Sequence, residues 1–189
     1  IDTAEDTEGK AVPISDGFAI LTPDGLAGWL EGDEALGAGL FLGELGISIV
    51  ELSGGITAEL AGADVSINPV WGGNGEITGI DVAVEARGSI IEAPPGSDLG
   101  NAGSWDGLEA ELADLVCGWA EAALNKSVGL NADFLGFGRH IESTQPVKFE
   151  NMPVSWQETF PSLEITVSGS ARILNMREYS DSPYAGVNQ

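Results

Sequence analysis

Apolar and polar positions alternate with period two over some stretches and recur every three or four residues over others, and these changes of period divide the chain into elements. Ile80, Val82, Val84 and Ala86 alternate with Asp81, Ala83, Glu85 and Arg87, as a half-buried strand requires. Leu163, Ile165, Val167, Gly169, Ala171 and Ile173 alternate in the same way with Glu164, Thr166, Ser168, Ser170 and Arg172, which predicts a final strand. Between them, Trp105, Leu108, Leu112, Leu115, Trp119 and Ala123 recur at helical spacing. Ser104 is the expected cap of that long helix, Asp106, Glu109 and Glu111 suit its positive end, Lys126 its negative end, and Gly129 its stop.

The rest is read from punctuation. GFAIL and LAGWL flank Thr22-Pro23-Asp24-Gly25, a turn sequence, and predict a hairpin over residues 17–30. A short helix should follow, with Leu36 and Leu40 four apart, Asp33 as cap and Glu34 in the first turn, weakened by Gly37, Gly39 and Gly43. ISIVEL, ITAEL, DVSINPVW and ITGIDVAVEARG read as strands divided at Gly54-Gly55, at Gly62 and at Gly72-Gly73-Asn74-Gly75. Residues 93–103 read as a loop, and NADFLGFGRHI as a short helix or tight turn. Hairpins, a long helix and a returning strand predict an α+β domain, its sheet largely antiparallel or mixed and its helices on one face. Residues 1–11 are expected to be an acidic linker or leader, residues 12–178 one domain, and residues 179–189 a frayed tail.

Composition narrows the function. The chain of 189 residues has 30 acidic and 7 basic residues, a formal charge of −23, while 43% hydrophobic content supports a folded core. Such a charge repels phosphate backbones and removes the electrostatic term that supplies most non-specific nucleic-acid affinity, so no nucleic-acid partner is expected. The single Cys117 cannot close an internal disulfide, and no His/Cys cluster offers a zinc site. No apolar run reaches the roughly 20 residues that span a bilayer.

The candidate chemistry is sparse. His140 is the sole histidine, with Ser143 close by in sequence, and no G-x-S-x-G motif accompanies it. Cys117 lies on the long helix with nothing basic nearby to lower its pKa. Glu31, Asp33 and Glu34 resemble the paired carboxylates of glycosidases only as any acid-rich stretch does. The alternating Asp/Asn pattern of a calcium loop is missing, and no Lys-Ser or Lys-Thr follows Gly72–Gly75 as in a phosphate loop. Trp29, Trp71, Trp105, Trp119 and Trp156 raise the alternative of a secreted or surface carbohydrate-binding module, although Trp105 and Trp119 fall on the helix's apolar face. No catalytic, cofactor-binding or metal-binding residue is assigned.

The order of three segments carries a resemblance. LAGWLEGDEALG presents Gly28, Trp29, Leu30 and Glu34; ADFLGFGRHI presents Asp133, Phe134, Leu135, Gly136, Phe137 and Gly138; SWQETFPSLEITVSGSARI presents Trp156, Phe160 and Pro161 before an alternating strand. In this order they resemble the C-terminal domain of the Ger(x)C family, the C subunit of nutrient germinant receptors in spore-forming bacteria. The chain departs from that family in its acid excess and in Leu174, Asn175 and Met176, where members carry basic residues and glycine. The resemblance implies a non-enzymatic receptor component without a cofactor, acting in nutrient-triggered germination beside membrane A and B subunits. It also implies a lipid anchor outside this sequence, holding the protein on the outer face of the spore's inner membrane. It places residues 21–37 at a strand-turn-strand-helix corner where Trp29 packs inward, so that truncating Trp29 would cost about 3–5 kcal/mol. The expected partner contact is this corner or the surface of Gly136, Phe137 and Gly138, with Phe137 as an apolar anchor.

Overall fold

A computed structural model describes residues 2–5, 11–14, 17–23, 25–100 and 102–176. The stretch expected to be an acidic linker or leader contains β1 (Asp2–Glu5), which pairs antiparallel with β2 (Ala11–Ile14). The expected tail, residues 179–189, and Asp24 of the hairpin turn lie outside the described residues.

The predicted hairpin forms as β3 (Phe18–Thr22) and β4 (Gly25–Leu30), with a register irregularity between Ile20 and Leu21. Ile20 and Leu30 point into the core. The short helix α1 (Gly32–Leu42) follows, entered through Glu31 in extended conformation with no side-chain cap; Asp33 lies inside the first turn and does not cap. Gly37 is where α1 crosses the long helix α2 (Asp106–Gly129): a Cβ there would run into the Trp119 carbonyl oxygen and lie 2.8 Å from the Ala123 Cβ. The glycine that weakens the isolated helix is what lets it dock, and docking supplies most of a short helix's stability.

The main sheet has the order β5 (Ser48–Leu52), β6 (Ile56–Trp71), β7 (Ile77–Glu92), β8 (Glu164–Met176). The first three run antiparallel, and β8 runs parallel to β7, so the sheet is mixed and the α+β expectation holds. ITAEL and DVSINPVW are one strand, because Gly62 marks a register shift against β7 rather than a break. The turn at residues 72–75 closes the β6–β7 hairpin with the Gly72 N–H on the Glu76 carbonyl at 2.8 Å.

One face of the sheet takes the helices. Ile80, Val82, Val84 and Ala86 of β7 meet Leu112, Val116, Ala120 and Ala123 of α2 in a single buried cluster. The other face is polar, with Arg87 paired to Asp64 at 2.6 Å and the Thr166 hydroxyl donating to Asp81 at 2.6 Å. Burying one face and wetting the other is what strict alternation demands. The ends of α2 differ from expectation. Ser104 belongs to a 3₁₀ turn (Ala102–Ser104) and Trp105 occupies the cap without a side-chain bond, its indole N–H instead holding the Leu99 carbonyl at 3.0 Å. The chain reverses after the helix at Asn131, with φ 51°, and not at Gly129.

Candidate functional site

The second and third motif segments converge on one carboxylate. After the reversal at Asn131, Asp133 sits below the start of α3 (Phe137–Thr144). Its Oδ1 accepts the backbone N–H of Gly136 at 3.0 Å and of Phe137 at 2.9 Å; its Oδ2 accepts the N–H of Gly138 at 2.7 Å and the Trp156 indole N–H at 2.9 Å. A helix start leaves its first N–H groups without partners and carries partial positive charge, so a carboxylate there satisfies donors and dipole together. Gly136, at φ 81°, makes the left-handed bend that brings the next N–H groups onto the acid.

Trp156 belongs to α5 (Trp156–Thr159), which runs into the 3₁₀ turn Phe160–Ser162 containing Pro161. Its ring lies 5.5 Å from that of Phe160 and 6.1 Å from that of Phe149, in α4 (Pro146–Glu150). Phe137 is fully buried, with its ring 5.4 Å from Phe41 and 6.1 Å from Phe160. A Cβ on Gly138 would collide with the indole of Trp156, 2.7 Å from Cδ1 and 2.8 Å from Cε2. Phe137 is therefore core and not a surface anchor, and the backbone approach that Gly138 permits is taken by Trp156. Local sequence could not tell these alternatives apart, because the indole that fills the space comes from 18 residues further along the chain (156 − 138 = 18).

The first motif segment faces the other way. Leu30 is buried, and a Cβ on Gly28 would lie 3.3 Å from Leu130 Cδ1, so both positions look inward. Trp29 stands between them on a strand and is 58% exposed. Its expected inward packing is thereby corrected: period two turns the indole outward once its neighbours face the core. Glu34 Oε2 pairs with Lys126 Nζ at 2.9 Å and joins α1 to the last turn of α2. Trp29, Glu31, Asp33, Glu34 and Lys126 line an open cleft of about 590 Å³. The Glu34 carboxylate, one of the acids weighed for catalysis, is held by that lysine.

The remaining candidates are accounted for by packing. The carbonyl of His140, not its imidazole, accepts the Ser143 and Thr144 hydroxyls, both at 2.8 Å. Cys117 lies under β8, where its Sγ would meet a Cβ on Gly169; burial pushes its thiol pKa up, and Glu121 and Asp114 push it further. Four of the five tryptophans are engaged within the fold: Trp119 is buried, Trp105 holds Leu99, Trp156 holds Asp133, and Lys148 Nζ lies 5.2 Å from the Trp71 ring centroid.

Glu109 and Glu111 do more than suit the start of α2. Glu109 accepts the Ile173 N–H at 2.8 Å, and Glu111 accepts the Ser53 N–H at 2.9 and 3.0 Å. These ties bring the helix to β8 and to the turn between β5 and β6, and no local signal marks them because their partners are 64 and 58 residues away. Among the described residues no group of three or more His, Cys, Asp or Glu side chains could hold a metal, and no helix is long and apolar enough to cross a membrane.

A solved structure, the crystal structure of the GerBC protein, shares the fold with a TM-score of 0.70 at 20% identity. The match covers 90% of this chain and 54% of that one, so the chain spans about half the length of the structure it resembles. No curated protein matches the sequence significantly. The family model described as spore germination B3/GerAC like, C-terminal, matches residues 16–176, which takes in the hairpin corner, the Asp133 cradle and the final strand. The chain thus belongs to the spore germination B3/GerAC-like C-terminal family.

Proposed function

We propose that this chain is the C-terminal domain of a germinant receptor C subunit, a non-enzymatic part of the complex that converts nutrient sensing into release of the spore's ions and dipicolinate. The family match over residues 16–176 is the observation that carries the reading. Residues 12–178 form its working unit, joined by residues 1–11 to the rest of a lipid-anchored protein on the outer face of the spore's inner membrane, beside the A and B subunits. The packing supports a role through surfaces rather than chemistry, since Glu34 is paired with Lys126 and Asp133 is occupied by backbone and indole donors. The motif residues Asp133, Gly136, Phe137, Gly138, Trp156 and Phe160 keep the domain in shape, while the Gly28–Glu34 corner presents a face to a neighbour.

The test is deletion of the gene in the source organism, followed by measurement of dipicolinate release from its spores against a panel of nutrients. Loss of response to some nutrients is expected, with rescue by the full gene and no rescue by a gene lacking residues 12–178. A deletion strain whose spores respond normally to every nutrient, with no other receptor gene left to substitute, would overturn the reading.

A further inference from the structure

The outward face of the β3–β4 hairpin is apolar although the chain as a whole carries a charge of −23. Ala19 pairs with Trp29 and Leu21 with Leu26, so these side chains share the face opposite Ile20 and Leu30. Leu21 is 75% exposed, Leu26 56% and Trp29 58%. Neither strand contains a charged residue. A contiguous exposed apolar face on a domain marks an interaction site, and tryptophan is among the residues most enriched at the energetic centre of such sites.

The surroundings of the patch select its occupant. The cleft beside Trp29 is edged by Glu31 and Asp33, whose carboxylates have no counter-ion among the described residues, while Lys126 is already held by Glu34. A second copy would bring another charge of −23 and the same acidic edge to the contact. An anionic bilayer surface would meet the same repulsion. We infer that the hairpin face docks a basic amphipathic segment of a partner protein, its apolar side chains on Leu21, Leu26 and Trp29 and its Lys or Arg side chains against Glu31 and Asp33. This deepens the receptor reading by giving the kind of neighbour the corner fits; the binding test below needs no spores, so it fails separately from the deletion test above.

The probe is a synthetic amphipathic helix of about 18 residues with leucines along one face and lysines along the other. Its control has serine in place of each leucine at the same charge. The purified chain is expected to bind the leucine peptide more tightly than the serine peptide by roughly ten-fold or more. Combining Leu21→Ser, Leu26→Ser and Trp29→Ser leaves the charge unchanged and should remove that preference. Ile49→Ser with Val147→Ser, exposed apolar positions elsewhere, should leave it intact. Glu31→Gln with Asp33→Asn should weaken binding and flatten its salt dependence. If the triple variant loses its melting transition, Leu21→Ser and Trp29→Ser are measured singly. Equal binding by the wild type and the patch variants would reduce the interaction to general polycation attraction and overturn the proposal. A dimer in sedimentation that the patch variants dissociate, or patch-dependent binding to phosphatidylglycerol vesicles, would overturn it in favour of a second copy or a membrane.

Discussion

Asp133, Phe137, Gly138, Trp156 and Phe160 face one another at the α3 end of the molecule, whereas Trp29, flanked by inward-facing Gly28 and Leu30, faces solvent beside Glu31 and Asp33. Both regions lie within the residues that the family model matches, 16–176. In the first, the polar groups are paired and the rings are packed, so little is left over to recognise anything. In the second, Leu30 and Gly28 face the core and Glu34 pairs with Lys126, which leaves Trp29 as the exposed residue of the motif. Motif residues are thus of two kinds, and burial separates them where sequence does not.

This contrast is tested most severely at Asp133. Asp133→Ala leaves backbone N–H groups and the Trp156 indole without their acceptor, at a cost of about 3 kcal/mol. Thermal melting should therefore fall by about 10 °C for a domain of this size, with Trp156 fluorescence altered. Gly138→Val forces a branched side chain into the indole and should cost about as much by overpacking. A melting temperature unchanged in both variants would mean that the cradle is not holding the helical end together.

The next effect is smaller and belongs to the open corner. Lys126→Met removes the pair with Glu34, in which both side chains are about one-third exposed, and solvent screening limits the loss to about 0.5 kcal/mol. The difference from wild type should shrink further in high salt. A loss as large as that of Asp133→Ala would erase the distinction between the two regions.

The smallest effect on stability is expected from Trp29→Ala, within about 0.5 kcal/mol, because an exposed side chain leaves no cavity. Unchanged melting together with lost peptide binding would separate folding from recognition at this position. A fall of several kcal/mol in chemical denaturation would instead return Trp29 to a packing role.

Much of this fold was legible beforehand. The alternation in β7 and β8, the helical recurrence in α2 and the turn residues between β3 and β4 all identified their elements. The errors fall where a local signal has more than one outcome. Gly62 marks a bulge as readily as a break, and the neighbouring strand β7 runs past it on both sides. Asp33 and Ser104 have the chemistry of caps, but the chain enters each helix in a conformation that leaves them out of the capping position. Of the candidate site, the motif residues were identifiable and their division into core and surface was not. The aromatic cluster depends on α4 and α5, short segments with too few residues to show a period.

Sequence by itself determined the α+β class, the main strands and long helix, and the family. These rest on composition and on contacts within a few residues, which the order of side chains specifies directly. Tertiary structure alone decided that Asp133 meets Trp156, that Glu109 and Glu111 reach distant backbone, that Phe137 is buried and that Trp29 is not. Each of those outcomes depends on which partner arrives from far along the chain. A carboxylate or a ring has the same local signal whether its partner turns out to be water, backbone or another side chain.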